Sequence, residues 1–285
     1  MKLTESNYYG TEANKAYCSA SQYKDFVGFP LKHGCEERAL KTISGEFKEE
    51  TSKAMLMGSI LDALWENDDP EYILSRFPDC VSSKGPTKGQ LKAEYQSVLQ
   101  MYQRTLKEEK FCAYMSGDKQ TIMTGVIEGL PFKIKIDSFI EGKAITDLKT
   151  TQTLDRFFRY YIPDSGEKLP FYLAYGYDTQ LAIYREIVRQ NTGKTLNCYI
   201  AAVDKKPHPI CDVIELPGKL LDEALDRVKG NCETIIMLKN GEATPGRCEQ
   251  SDCDYCRDTH VCQVISTEEF ELNEPNKGNE HDNQV

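Results

Sequence analysis

Residues 121–151, TIMTGVIEGLPFKIKIDSFIEGKAITDLKTT, decide the fold. Apolar and polar residues alternate along TIMTGVIEG, FKIKIDSF and AITDLK, with breaks at EGLP and IEGK, so the spacing predicts three consecutive strands. On the second strand Phe132, Ile134 and Ile136 share one face, and Lys133, Lys135 and Asp137 the other. On the third, Ala144, Thr146 and Leu148 oppose Ile145, Asp147 and Lys149. A three-residue loop, Glu141 to Lys143, pairs Ile140 with Ala144 and sets Asp137 opposite Asp147 on the same face. A two-residue loop would put the two acids on opposite faces, because a slip of one residue inverts a strand.

Like charges placed opposite each other on a sheet repel unless something neutralises them, and a divalent cation would. Mg²⁺, or Mn²⁺ in its place, takes one or two carboxylates with waters and phosphate oxygens. Asp137, Asp147 and the adjacent Leu148 main-chain carbonyl meet that demand. Lys149, on the same face, could orient the attacking water and stabilise charge developing on phosphorus. The competing reading is plain: alternating charges often mark the wet face of an antiparallel sheet.

Outward from this block, SASQ starts a helix that Ser19 can cap and Gln22 can reach back to. Helices follow in CEERALKTI and SKAMLMGSILDALWEN, the latter with Met55, Ile60, Leu61 and Leu64 on a buried face and Asp62 inside that stripe. Residues 85–110 read mostly as one charged amphipathic helix, with Leu91, Tyr95, Leu99 and Tyr102 on its apolar side. After the strands come a helix in YDTQLAIYREIVRQNTGK ended by Gly193, a strand in LNCYIAAVD and a helix opened by Pro217. This order predicts an α/β fold with a central mixed β-sheet flanked by helices.

Gln180 and Tyr184 lie four apart on one helix face. An Asp, then Asp-x-Lys, then a helical Gln-x-x-x-Tyr resembles the PD-(D/E)XK nuclease superfamily, in particular its RecB-like and RecE-like branch. The resemblance implies a restriction-endonuclease-like core, metal ligation by Asp137 and Asp147, a catalytic Lys149, and Gln180 and Tyr184 touching the scissile region or the DNA. The family's upstream Gly-x-x-x-His reads GSILD here, so Asp62 stands where the metal-binding histidine would be. A carboxylate also suits a hard cation. More closely, MGSILDALWE, MSGDKQTIMTG, KIKIDSF, YGYDTQLAIYREIVRQNTGK and CDYC resemble phage-encoded RecE-like exonucleases that act beside a single-strand annealing protein of RecT type; this likeness spans residues 19–262.

Eleven cysteines in a chain without an apolar leader point to a reducing compartment, the cytoplasm, and to metal ligation where they cluster; the resemblance implies that this is a bacterial host's cytoplasm, in a phage or prophage setting. Cys248, Cys253, Cys256 and Cys262 lie close together, and zinc bound by these four is one reading. The second comes from RecB-like nucleases that hold a 4Fe-4S cluster with one upstream cysteine and a C-terminal Cys-x2-Cys-x5-Cys. It implies Cys35, Cys253, Cys256 and Cys262 as ligands, leaves Cys248 spare, and staples the N- and C-terminal segments together. His260 could replace a cysteine ligand. The other cysteines read as small core residues.

The net charge of −10 disfavours a broadly basic nucleic-acid surface, but half of it falls in residues 266–285, which carry six acids and one lysine. That segment reads as an acidic disordered tail behind a nuclease domain spanning residues 1–265. Basic groups gather locally: Lys133, Lys135, Lys143 and Lys149 around the hairpin, and Arg156 and Arg159 among four aromatics in DRFFRYY. Arginines beside aromatics suit phosphate clamping and base stacking, and Lys135, Arg156 and Arg159 are the DNA-contact candidates. No window approaches the roughly 18 apolar residues of a membrane span. The expected activity is metal-dependent resection of linear double-stranded DNA ends for recombination by annealing, with a ring-shaped homo-oligomer implied by resemblance. The alternatives are a non-catalytic metal-stapled binding module and an endonuclease of the CRISPR-adaptation type.

Overall fold

The structure, a computed structural model, describes residues 1–67, 70–248 and 253–267. The expected acidic tail falls almost wholly outside the described residues.

Five strands form the central sheet in the order β1 (Asp118–Ile127), β2 (Leu130–Ile140), β3 (Ala144–Thr151), β4 (Asn197–Asp204) and β5 (Cys211–Leu216). All neighbours are antiparallel except β3 and β4, which run parallel. That parallel pair requires a crossover, supplied by α8 (Phe171–Ala174) and α9 (Tyr177–Thr192). The sheet is therefore mixed and flanked by helices, as the patterning predicts.

Helices cover both faces. Against one pack α2 (Ala20–Val27), α9 and α10 (Gly218–Asn240), burying Ile134, Ile136, Ile145, Leu181, Ile187 and Ile200. Against the other pack α4 (Lys53–Glu66), α6 (Gln96–Leu106) and α7 (Glu109–Tyr114), burying Ile60, Leu61, Val98, Met101, Phe111, Ala201 and Val203. Strand β4 feeds alternate residues to the two cores, which is why NCYIAAVD reads as an almost unbroken apolar run. Short helices complete the chain: α1 (Thr11–Ala16), α3 (Glu36–Ser44), α5 (Pro70–Arg76) and α11 (Asp254–Asp258). Two small ribbons pair Gly28–Phe29 with Lys32–His33, and Tyr160–Tyr161 with Lys168–Leu169. No helix among the described residues is long and apolar enough to cross a membrane.

Helix ends follow local chemistry. Ser19 accepts the Gln22 amide at 3.2 Å and Gln22 returns the bond to the Ser19 amide at 3.1 Å, completing the capping box that opens α2. Gly193 takes φ 71 to end α9, a left-handed turn that glycine adopts without a Cβ clash.

Three expectations need correction. Residues 85–110 are not one helix: the chain runs irregularly to a 3-10 turn at Ala93–Tyr95, and α6 and α7 divide at Lys107 and Glu108. Gly85 and Gly89, both with positive φ, and Pro86 keep the first part from helix. Met55 is exposed on the first turn of α4, ahead of the buried stripe. Strand β5, CDVIEL, was missed because an edge strand with an acid at Asp212 and another at Glu215 carries little alternating apolar signal.

Candidate active site

The hairpin between β2 and β3 has the odd loop: Ile140 pairs with Ala144, Phe139 with Ile145 and Ser138 with Thr146. There the ladder stops. β3 continues along β4 to Thr151, whereas β2 continues along β1, so the two strands part at Asp137. Several backbone groups at the split find other partners. Asp137 Oδ2 accepts the Leu148 amide at 2.8 Å, Cys18 exchanges backbone bonds with Pro131 and Lys133, and Tyr184 donates its hydroxyl to the Lys135 carbonyl at 3.1 Å. The split leaves an open place in the middle of the sheet for carboxylates.

A cavity of about 470 Å³ opens over it. Asp137, Asp147 and Lys149 line it from the strands, Gln180 and Tyr184 from α9, and Ser59, Asp62 and Glu66 from one face of α4. Gly58 of α4 faces β3: a Cβ there would meet Thr150 Oγ1 at 3.9 Å, an ordinary van der Waals contact. The structure thus brings Asp62, from a motif position 75 residues before Asp137, to the same cavity.

The charges are crowded. Burial, then Asp147, push the Asp137 carboxyl up to about 7. Burial, then Asp137, hold the Asp62 carboxyl well above its ordinary range. For Lys149, burial opposes the charge, but Asp147 and Asp137 outweigh it and keep the ammonium above its usual range. Lys149 pairs with Asp147 and donates to the Leu148 carbonyl at 3.3 Å. The ammonium therefore lies against two of the four groups expected to hold the divalent ion. Three carboxylates and a main-chain carbonyl lining one cavity, with Lys149 and Lys135 beside them, are the oxygen donor types that a hard cation takes.

Gln180 donates to Asp147 Oδ1 at 2.7 Å and to the Tyr184 hydroxyl at 3.2 Å. With the Tyr184 bond to Lys135, this makes a brace from β3 through α9 to β2 across the split. Tyr184 is only 8% exposed, so its observed contacts hold the site's walls and do not reach toward open space.

The lysines divide. Lys133 is buried; it donates to the Tyr8 carbonyl and, at 2.6 Å, to Asn14 Oδ1. It anchors the N-terminal segment and is not a free phosphate contact. Lys143 belongs to the exposed hairpin turn, away from the cavity. Lys135 lines the cavity, its ammonium 5.0 Å from the Tyr9 ring centre and 5.9 Å from that of Tyr8. Tyr9 itself is 68% exposed at the rim. Sequence reasoning missed Tyr8 and Tyr9, which reach the site from more than 120 residues away; paired tyrosines ahead of the first capped helix were the sole signal. It also missed Tyr177, whose ring lies 5.1 Å from the Lys149 ammonium.

Arg156 and Arg159 sit on an exposed loop and line a separate cleft with Phe158, Tyr172 and the β5 residues Asp212 to Ile214. Phe157, between them, is 94% exposed on an Asx turn in which Asp155 accepts its amide at 2.9 Å.

The thiol cluster differs from expectation in one member. Cys35, Cys253 and Cys256 come together as implied, but the fourth thiol is Cys248, and all four sulfurs lie within 4.8 Å of one another. Cys262 is exposed and outside the group. The reason is local: Cys253 caps α11 and Cys256 lies in its first turn, whereas Cys262 follows the helix in an irregular, exposed segment. His260 is likewise exposed and outside the group.

The profile of a family described as a PDDEXK-like domain of unknown function, DUF3799, matches residues 19–259. The crystal structure of a proposed exonuclease from Eubacterium rectale is similar at 39% identity and a TM-score of 0.87, covering 96% of this chain and 98% of that one. A second solved structure, SSO0001, covers 80% of this chain and 93% of its own at 14% identity and a TM-score of 0.31, too distant to bear on the fold. No curated protein matches. By fold, motif residues and these matches, the chain belongs to the PDDEXK-like family DUF3799 and with it to the PD-(D/E)XK nucleases.

Proposed function

We propose that this chain is a divalent-metal-dependent deoxyribonuclease that resects the ends of linear double-stranded DNA. The observation that carries this reading is the convergence of Asp62, Asp137, Asp147 and Lys149 on one cavity at the split between two strands. With a divalent cation bound, Asp62, Asp137, Asp147 and the Leu148 carbonyl would hold it, and it would supply Lewis-acid stabilisation of a phosphodiester under attack. Asp137 is fixed by the Leu148 amide, and Asp147 by Gln180. Lys149 brings the positive charge that a phosphorane-like transition state needs. Lys135, buried in the cavity wall, and Tyr9, exposed at the rim, offer a cation and a ring face to a phosphate and a terminal base.

The likeness to the Eubacterium rectale protein, described as a proposed exonuclease, favours end resection over internal cutting. The phage-type recombination setting in a bacterial cytoplasm, a RecT-type annealing partner and a ring-shaped oligomer rest on the sequence resemblance. Matched linear and covalently closed circular DNA, incubated with wild type and Asp147→Ala with Mg²⁺ or chelator, test the reading. Wild type should release nucleotides from the linear form alone and only with the metal, and the variant should fold yet be inert. Full cleavage by Asp147→Ala, or DNA retention without cleavage by wild type under either Mg²⁺ or Mn²⁺, would overturn it.

A further inference from the structure

The spacing of the four cysteine sulfurs, not the spacing of the cysteines along the chain, tells what they hold. Cys35 Sγ and Cys256 Sγ are 3.6 Å apart, as are Cys248 Sγ and Cys253 Sγ, and no pair exceeds 4.8 Å. Four thiolates around one zinc, each about 2.3 Å from it, stand about 3.8 Å apart at the corners of a tetrahedron. In a 4Fe-4S cubane each thiolate has its own iron, and four irons and four sulfides fill the space between, so the sulfurs stand much further apart than any pair here. The ligand set that the resemblance implied for a cubane also includes Cys262, which is exposed and outside the group. The cubane does not fit.

We propose that Cys35, Cys248, Cys253 and Cys256 bind a single tetrahedral, thiophilic divalent ion, zinc by its preference for a closed four-sulfur shell. The site is built for one ion. All four cysteines are buried, and Phe47 and Tyr255 cover it, their rings 5.3 Å apart. Around it, Gly246 bonds the Glu36 carboxylate at 2.7 Å, Tyr255 bonds Glu37 at 2.9 Å, and Arg247 donates to the Cys256 carbonyl at 3.2 Å. The ion ties Cys35, at the start of α3, to Cys248, Cys253 and Cys256. Helix α3 in turn lends Ala39, Thr42 and Ile43 to the wall of the active-site cavity. The site is structural, and its occupancy does not depend on nuclease activity.

Full-length protein purified without oxygen is analysed for zinc, iron and acid-labile sulfide, alongside Cys248→Ser and Cys262→Ser. One zinc per chain without sulfide, kept by Cys262→Ser and lost or weakened at least tenfold in Cys248→Ser, is expected. Cobalt exchanged into wild type should show the intense d–d absorption of a tetrahedral tetrathiolate. Iron with stoichiometric sulfide, ion loss from Cys262→Ser with retention by Cys248→Ser, or folded wild type that takes up no zinc or cobalt would each overturn the proposal. The wild-type analysis decides even if Cys248→Ser fails to fold.

Discussion

Asp137→Asn should make the metal-free protein more stable while abolishing cleavage, and the gain should depend on pH. The Asn carboxamide oxygen can still accept the Leu148 amide, so the 2.8 Å bond at the strand split survives. What disappears is a charge. Burial and Asp147 push the Asp137 carboxyl from 3.8 up to about 7. Between those values the native protein keeps a proton that the unfolded chain has released. Stability of metal-free wild type therefore falls as pH rises through that window, at about 1.4 kcal/mol per pH unit, and levels off above it. The variant lacks this slope. Its advantage should widen by about 2 to 3 kcal/mol from pH 5 to pH 8, or about 5 to 10 °C in melting temperature for a chain of this size. Thermal melts in chelator at pH 5, 6, 7 and 8 read it directly, and Mg²⁺ should close the gap by stabilising wild type more than the variant. A gap that does not vary with pH, or a variant less stable at pH 8, would refute the argument that Asp137 is held ionised at a cost.

Other perturbations separate the roles of the remaining groups. Lys149→Ala should keep DNA binding but lose about 10²- to 10⁴-fold in kcat, measured in single-turnover cleavage. Gln180→Ala, which frees Asp147, should weaken the apparent Mg²⁺ affinity about 10- to 100-fold, with part of kcat recovered at high metal; an unchanged metal titration would show that Gln180 does not work through Asp147. Tyr9→Ala should raise KM for linear DNA about 5- to 100-fold with kcat and melting temperature nearly constant, the loss of one base-stacking surface of about 1 to 3 kcal/mol. Tyr9→Phe should restore it, since the ring face is what it offers.

Much of this site is legible in the sequence because its parts are periodic or capped. Period-two alternation located the three strands, and the parity of a three-residue turn put Asp137 and Asp147 at the same place in the sheet. The i, i+4 relation of Gln180 and Tyr184 put both on the helix face toward the strands. What escaped depends on contacts that no local pattern encodes. Tyr8 and Tyr9 matter only because the N-terminal segment docks on the edge of β2 that β3 vacates. The sequence likewise left open which thiol closes the cluster. Cys248 and Cys262 are both near Cys253 along the chain, and the short helix α11 decides which one turns back. The expectation that Gln180 and Tyr184 touch the scissile region or the DNA did not include their bracing bonds, because a motif names residues and not the direction their hydrogen bonds run.

The same split explains why the N-terminal segment belongs to the candidate active site. Antiparallel strands that stayed paired would satisfy their own backbone, leaving no room for three carboxylates. Strands that part expose donors and acceptors, and buried ones left unpaired cost about 1 to 3 kcal/mol each. Here the N-terminal segment answers that demand. Cys18 bonds the freed edge of β2, Tyr8 and Asn14 hold Lys133, and the capped α2 follows at once. Helix α3, next in the chain, then forms part of the cavity wall and is tied through Cys35 to the C-terminal thiols. The carboxylates thus sit where the β2–β3 ladder stops, and the segments that cover the split also shape the opening of the cavity. On the proposed function, perturbing the thiol cluster should therefore act first on how substrate is held, whereas perturbing Asp137, Asp147 or Lys149 should act on the chemistry.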